Sequence, residues 1–187
     1  MADLDRFGWL APWYERLFKP RQSDPLHSVV GLPISGRLLD AGGGTGRIAQ
    51  SLVAKVGQVI VADLSLRMLR EAARKDALQV VNSQSEYLPF PDGHFERVIM
   101  VDALHHVCDQ QQTARELYRV LAPGGRLVIE EPDFRAWGIK LIALGEKLLL
   151  FHSHFLSPGR IAGLFAGNGG GVAVITEGFV SYIVVEK

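Results

Sequence analysis

Short, continuously apolar runs alternate along this chain with stretches of helical period. They are "GRLLD", then Arg47 to Val56, "QVIVAD", then Leu66 to Lys75, "ALQVVN", "RVIMVD", the polar stretch Gln110 to Leu121, and "GRLVIEEP". Strands that are apolar at every position, rather than at every second one, are buried on both faces. A β-α-β-α order of such strands predicts an α/β fold, an open and mostly parallel sheet with helices on both faces. Ser65 stands where a helix N-cap belongs, and "APGG" at Ala122 to Gly125 is expected to stop a helix before the fifth strand. The last two strands, "VAVITE" and "VSYIVVEK", are separated only by Gly178 and Phe179, which predicts a C-terminal antiparallel hairpin and seven strands in all.

The flanks are less regular. Residues 1–35 are rich in aromatics and proline and read as one or two short helices laid over the sheet's edge, a helical cap. Residues 36–133 form the core, and 134–187 supply an apolar helix from Trp137 to Phe151, a helix near Ser157-Pro158-Gly159, and the hairpin. At 187 residues and 48% hydrophobic, the chain is expected to be one well-cored domain, 1–187. Twenty basic residues balance twenty acidic ones, so the long-range field that recruits nucleic acid is missing and no nucleic-acid partner is expected. Cys108 is the only cysteine, which excludes an intrachain disulfide and a thiolate cluster; it reads as a small buried side chain. The charged stretch "MADLDRFGWLAPWYERLF" is not a signal peptide, and the expected location is cytoplasmic. "WGIKLIALGEKLLLF" is interrupted by Lys140, Glu146 and Lys147 and is too short to span a bilayer; a homodimer partner or a membrane surface could each cover its apolar face.

"LLDAGGGTGRIAQSL", Leu38 to Leu52, sets Gly42, Gly43, Gly44 and Gly46 between a buried strand and a helix. Glycine there lets a ligand touch the backbone, and in open α/β sheets ligands sit at the carboxyl ends of the strands. A turn without a ligand needs one or two glycines, not four. Counted from Gly42 and Gly44, a dinucleotide fingerprint would require a small residue at position 47, where Arg47 stands, and no G-x-x-x-x-G-K-[ST] run exists. A nucleoside without phosphates is favoured over a pyrophosphate. Asp63 ends the second strand nineteen residues after Gly44, where a carboxylate can accept from both ribose hydroxyls; its competing role is to cap the next helix. Asp40, at the end of a buried strand, can hold the loop's amides or attract a cationic group, such as a sulfonium ligand that bears an ammonium.

With these stretches, "VIVADLSLRMLREA", "SQSEYLPFPDGHFERVIMVDALHHV" and "RELYRVLAPGGRLVIEEPD" complete a series that resembles the motifs of class I S-adenosylmethionine-dependent methyltransferases. The chain is most similar to the small-molecule branch that includes the ubiquinone and menaquinone C-methyltransferases, to which "DRFGWLAPWYERLF" also has a likeness. The resemblance implies a Rossmann-like fold and S-adenosylmethionine as cofactor. It gives Asp40, Gly42, Gly43, Gly44 and Gly46 to the methionine part, Asp63 to the ribose, and Leu64 and Met68 to the neighbourhood of the adenine. Gln84 stands where the family usually has the Asp that bonds the adenine amine; its carbonyl can still accept, and Ser85 or the backbone at Glu86 can share the contact. Glu96 replaces a common Asp at a structural position ahead of the fourth strand.

Asp102 to His106 follows the fourth strand and in this family faces the methyl group. His105 or His106 can serve as a base, because imidazole titrates near neutral pH; packing or capping the loop is the alternative for each. A metal held by His105, His106, Cys108 and Asp109 is not expected: adjacent histidines point apart and no dedicated ligand pattern is present. His152 and His154 are candidates for a pocket wall. Of Glu130 and Glu131, one is a candidate to orient a substrate and the other is expected to face solvent or a helix cap. Phe7, Trp9, Trp13, Tyr14 and Phe18, with Trp137 to Phe155, favour an apolar pocket and a lipophilic or aromatic small molecule. Two readings from other classes are a non-catalytic protein that binds the cofactor and a nicotinamide-dependent oxidoreductase, the latter opposed by Arg47.

Overall fold

The structure is a computed structural model that describes residues 25–132 and 154–187. Five parallel strands, β1 (Ile34–Ala41), β2 (Val56–Asp63), β3 (Leu78–Asn82), β4 (Phe95–Val101) and β5 (Leu121–Pro132), make up most of one seven-stranded sheet. The hairpin β6 (Val172–Glu177) and β7 (Val180–Glu186) completes it in the order β3-β2-β1-β4-β5-β7-β6, with β7 antiparallel to β5. This is the expected α/β architecture, and β1 and β4 are neighbours where the chain's progression along the sheet reverses.

The continuous apolar runs are explained by two cores, one on each face. Leu38, Val59, Val61, Ile99, Val128 and Tyr182 project to one side, under α1 (Leu26–Val30), α2 (Arg47–Leu52) and α3 (Leu66–Ala72). Their strand neighbours Leu39, Ile60, Val98, Met100, Leu127 and Ile183 project to the other, under α4 (Gln110–Val120) and α5 (Pro158–Gly163). Successive residues of a strand point to opposite faces, so both alternations must be apolar when both faces are covered.

Two local expectations are corrected. The helix before β5 ends at Val120, and "APGG" lies inside β5, where the pairing with β4 slips between Phe95/Leu121 and Arg97/Arg126. Pro123 disfavours helix for the residue before it, and Gly124 at φ 74 absorbs the irregularity. Further, α1 does not lie over the sheet's edge but packs against the inner strand β5, with Leu26 and Val30 buried. Arg97 Nε donates to Val30 O at 2.8 Å and Arg126 Nη1 to Val29 O at 2.9 Å, so two guanidinium groups meet the partly negative end of this helix. The helix expected over Trp137–Phe151, the early aromatics Phe7 to Phe18, and His152 lie outside the described residues. No helix among the described residues is long and apolar enough to cross a membrane.

Candidate active site

The glycine loop leaves β1 beside the end of β2 and is tied to it by the backbone. Gly42 and Gly43 donate to Ala62 O at 2.7 and 3.3 Å, and Gly46 donates to Gly43 O at 2.9 Å. Gly44 donates to Asp63 Oδ2 at 2.9 Å, while Asp63 Oδ1 accepts from Ser65 N at 2.7 Å. Ser65 in turn caps α3 by accepting from Met68 N at 3.3 Å. Asp63 thus ties the loop to the residue before α3, while the cap of α3 is Ser65 itself.

The four glycines have different reasons. A Cβ on Gly42 would lie 2.7 Å from Ala103 Cβ, on Gly43 2.6 Å from Asp40 Cγ, and on Gly46 2.7 Å from Leu78 Cδ1. These three are required by the protein's own packing. At Gly44 a Cβ would meet nothing within 4 Å, although φ is +55°, so this is the backbone position that opens onto free space. The expectation that all four clear room for a ligand narrows to one.

Asp40 is 1% exposed, and its Oδ2 has no hydrogen-bond partner. Burial, and then the charge of Asp63, push its pKa up to about 7, against the lowering effects of the Ala49 backbone and Arg47. It does not hold the glycine amides, which are taken by Ala62 O, Gly43 O and Asp63. Arg47, the first residue of α2, has its Nε buried without a partner.

On the side expected for the adenine, Met68 is buried, Leu64 is 38% exposed and Gln84 is exposed. Ser85 is half-buried. The carboxylate of Glu86 faces inward and accepts from Cys108 N at 2.9 Å and Asp109 N at 3.3 Å, which ties this loop to the one after β4. Sequence reasoning missed Ser83, whose hydroxyl is buried without a partner and whose amide donates to Asp63 O at 3.1 Å. Its signal was its place, next to Gln84 at the carboxyl edge of β3.

Beyond β4, Asp102 adopts a left-handed φ of 50° and donates its amide to Glu130 O at 3.0 Å; such non-glycine backbone strain concentrates at functional sites. A 3-10 turn follows over Leu104–His106. Glu131 Oε1 accepts from Leu104 N at 2.8 Å and His105 N at 3.4 Å, and its Oε2 lies 2.6 Å from His105 Nδ1. The His105 ring stacks on Phe155 at 4.3 Å between centroids. His106 lies 3.9 Å from His105 between ring centroids, so the adjacent histidines do not point apart as expected: His105 is pinned by Glu131 and Phe155, and the ring of His106 rests against it. Burial, and then the charge of His105, lower the His106 pKa to about 3.

Two further expectations are corrected. Glu130 and Glu131 are both buried, at 8% and 3% exposure, so neither faces solvent. Cys108 is exposed rather than buried, because its amide is drawn inward to Glu86. Asp109 is a helix cap, accepting from Gln112 N at 2.9 Å. His154 is exposed, and its backbone clips the following segment to this loop: its amide donates to His105 O at 2.8 Å, and Gln110 Nε2 bridges Leu104 O and His154 O. Among the described residues no group of three or more His, Cys, Asp or Glu is placed to hold a metal ion.

A methyltransferase-domain family model matches residues 39–129, from β1 to β5. The ubiquinone/menaquinone biosynthesis C-methyltransferase UbiE of Edwardsiella ictaluri is 32% identical over 190 residues, covering 95% of this chain and 68% of that protein. The protein of the same name from Pectobacterium carotovorum is 36% identical over 111 residues, covering 54% of this chain and 44% of its own length. Among solved structures, a SAM-dependent methyltransferase from Thermotoga maritima, described as a possible histamine N-methyltransferase, superposes with a TM-score of 0.80 at 24% identity, over 97% of each chain. At that identity the superposition shows the fold, and the sequence relatives carry the family assignment. The chain belongs to the class I S-adenosylmethionine-dependent methyltransferases.

Proposed function

We propose that this chain transfers the methyl group of S-adenosylmethionine to a small apolar or aromatic molecule, with a quinol-type ring as the favoured acceptor. The observation that carries this reading is the one open glycine, Gly44, between the buried, unpartnered Oδ2 of Asp40 and the carboxylate of Asp63. The cofactor brings a ribose diol, an ammonium and a positive sulfur, and these residues fit it: Asp63 for the hydroxyls, Asp40 for the cationic end, Gly44 for close approach. Leu64 and Met68 would hold the adenine, Gln84, Ser85 and the backbone at Glu86 would serve its polar groups, and Asp102 would complete the site from β4. When bound, the cofactor supplies a methyl group already activated by its positive sulfur.

The chain's own task is then alignment of the acceptor for an in-line displacement, plus proton removal where the acceptor requires it. His105 and His106 are the candidates at the methyl side. The names of the sequence relatives support a quinone-type acceptor, and the apolar composition of the flanking segments agrees with it. Calorimetric titration with S-adenosylmethionine, S-adenosylhomocysteine and NAD tests the cofactor side: binding of the first two is expected, and binding of NAD alone would overturn the reading.

Asp63→Ala is expected to weaken S-adenosylhomocysteine binding by about 1–3 kcal/mol, the scale for leaving buried hydroxyl partners unpaired. It also frees the amides of Gly44 and Ser65, so a lower melting temperature is expected alongside. An unchanged dissociation constant in the folded variant would refute the ribose assignment.

A further inference from the structure

We propose that Glu131 is a positioning residue that fixes the ring of His105 so that its Nε2, rather than a nitrogen of His106, takes the proton released by the methyl acceptor; this rests on the methyl-transfer reading above. Glu131 ends β5, and His105 sits in the turn after the neighbouring strand β4, so the sheet itself brings the two together. One carboxylate oxygen of Glu131 takes the amides of Leu104 and His105, which sets the position of the turn. The other lies 2.6 Å from His105 Nδ1, with both side chains buried. A carboxylate can only accept, so a neutral His105 carries its proton on Nδ1 and has Nε2 as its remaining acceptor nitrogen. Stacking on Phe155 further holds the ring, and the contact of His154 N with His105 O holds its backbone. Such a carboxylate does in addition what a buried acid does for a catalytic histidine: it stabilises the imidazolium that forms.

In the transfer, the acceptor's nucleophilic atom bonds to the methyl carbon as the donor's carbon–sulfur bond breaks and its electron pair returns to sulfur, leaving a neutral thioether. The acceptor's bond to hydrogen breaks with its pair kept on the acceptor, and the proton passes to His105 Nε2. The positive charge then sits beside Glu131. On His106 the same proton would meet burial, which disfavours its imidazolium.

The first test is nitrogen-15 NMR of the histidine side chains in the full chain without ligand. His105 is expected as the Nδ1–H form, with a strongly deshielded proton that loses this character in Glu131→Gln and keeps it in Glu131→Asp. An Nε2–H form of His105, or a spectrum indifferent to Glu131→Gln, would overturn the proposal. The second uses 1,4-naphthohydroquinone as probe acceptor, with S-adenosylhomocysteine binding followed in parallel. His105→Gln should lower turnover by roughly 10²–10⁴-fold while the dissociation constant stays within about threefold, and His106→Gln should lose at least about tenfold less than that. Equal losses at the two histidines would sink the assignment. Failure of the wild-type protein to bind S-adenosylhomocysteine would sink the methyl-transfer reading instead, and the NMR result distinguishes the two failures.

Discussion

Gly44→Val is expected to weaken binding of S-adenosylhomocysteine by at least about 10²-fold while the protein still folds, since roughly 3 kcal/mol is lost when a bulky group blocks close approach of a ligand to the backbone. The Cβ would project into space where nothing beyond the adjoining residues lies within 4 Å, which is the space the ligand is proposed to use. The fold does not escape entirely: a side chain at φ +55° costs about 1–2 kcal/mol, a melting-temperature drop of about 2–8 °C for a chain of this size. Gly46→Val provides the contrast, because its Cβ would strike Leu78 and Ala72 and the loss should appear first in stability. Calorimetry and thermal melts of the two variants separate these effects. Tight binding by a folded Gly44→Val protein would mean that nothing approaches the loop there.

The second large effect is expected at Asp40. Its pKa of about 7 lies above the ordinary 3.8, so between those values the folded chain binds more protons than the unfolded one. Stability contributed by this group therefore falls as pH rises from about 4 to about 7, by roughly 4 kcal/mol in total. Asp40→Asn removes that dependence and is expected to be the more stable protein above pH 7 in denaturant titrations. Ligand binding should respond with the opposite sign. The ammonium of the cofactor favours the ionised carboxylate, so below about pH 7 binding must release a proton, and affinity should fall by up to about tenfold per pH unit. Asp40→Asn should bind more weakly and without this slope. Proton release is measured by calorimetry in buffers of differing ionisation enthalpy; a pH-independent affinity of the wild-type protein between about pH 5.5 and 7 would exclude Asp40 as the partner of the cationic end.

Much of the candidate site was legible because the features that mark it are local. The strand-turn-helix passage at Gly42 to Gly46 and the acid at the end of β2 both lie at the carboxyl edge that a parallel sheet presents. The burial of Glu86, Glu130 and Glu131 was not legible, since carboxylates are ordinarily outside and only paired ones are retained within. Cys108 misled for the converse reason: its type favours burial, but its backbone is fixed by a distant carboxylate. The hairpin strand β6 has the apolar pattern of a core strand, yet every residue of it is exposed, because it forms the outer edge of the sheet.

The sequence by itself determined the class of the fold, the order of its elements and the glycine turn between β1 and α2, because those depend on side-chain period and on backbone preferences within a few residues. Only the tertiary structure decided which glycine faces open space, that Asp40 is buried without a partner for Oδ2, and that Glu131 grips His105. Those facts are set where the ends of different strands and their loops meet, as in the pairs Gly44 with Asp63, Glu86 with Cys108 and His105 with Glu131. Each partner there is chosen by sheet order and burial, which no stretch of sequence carries alone.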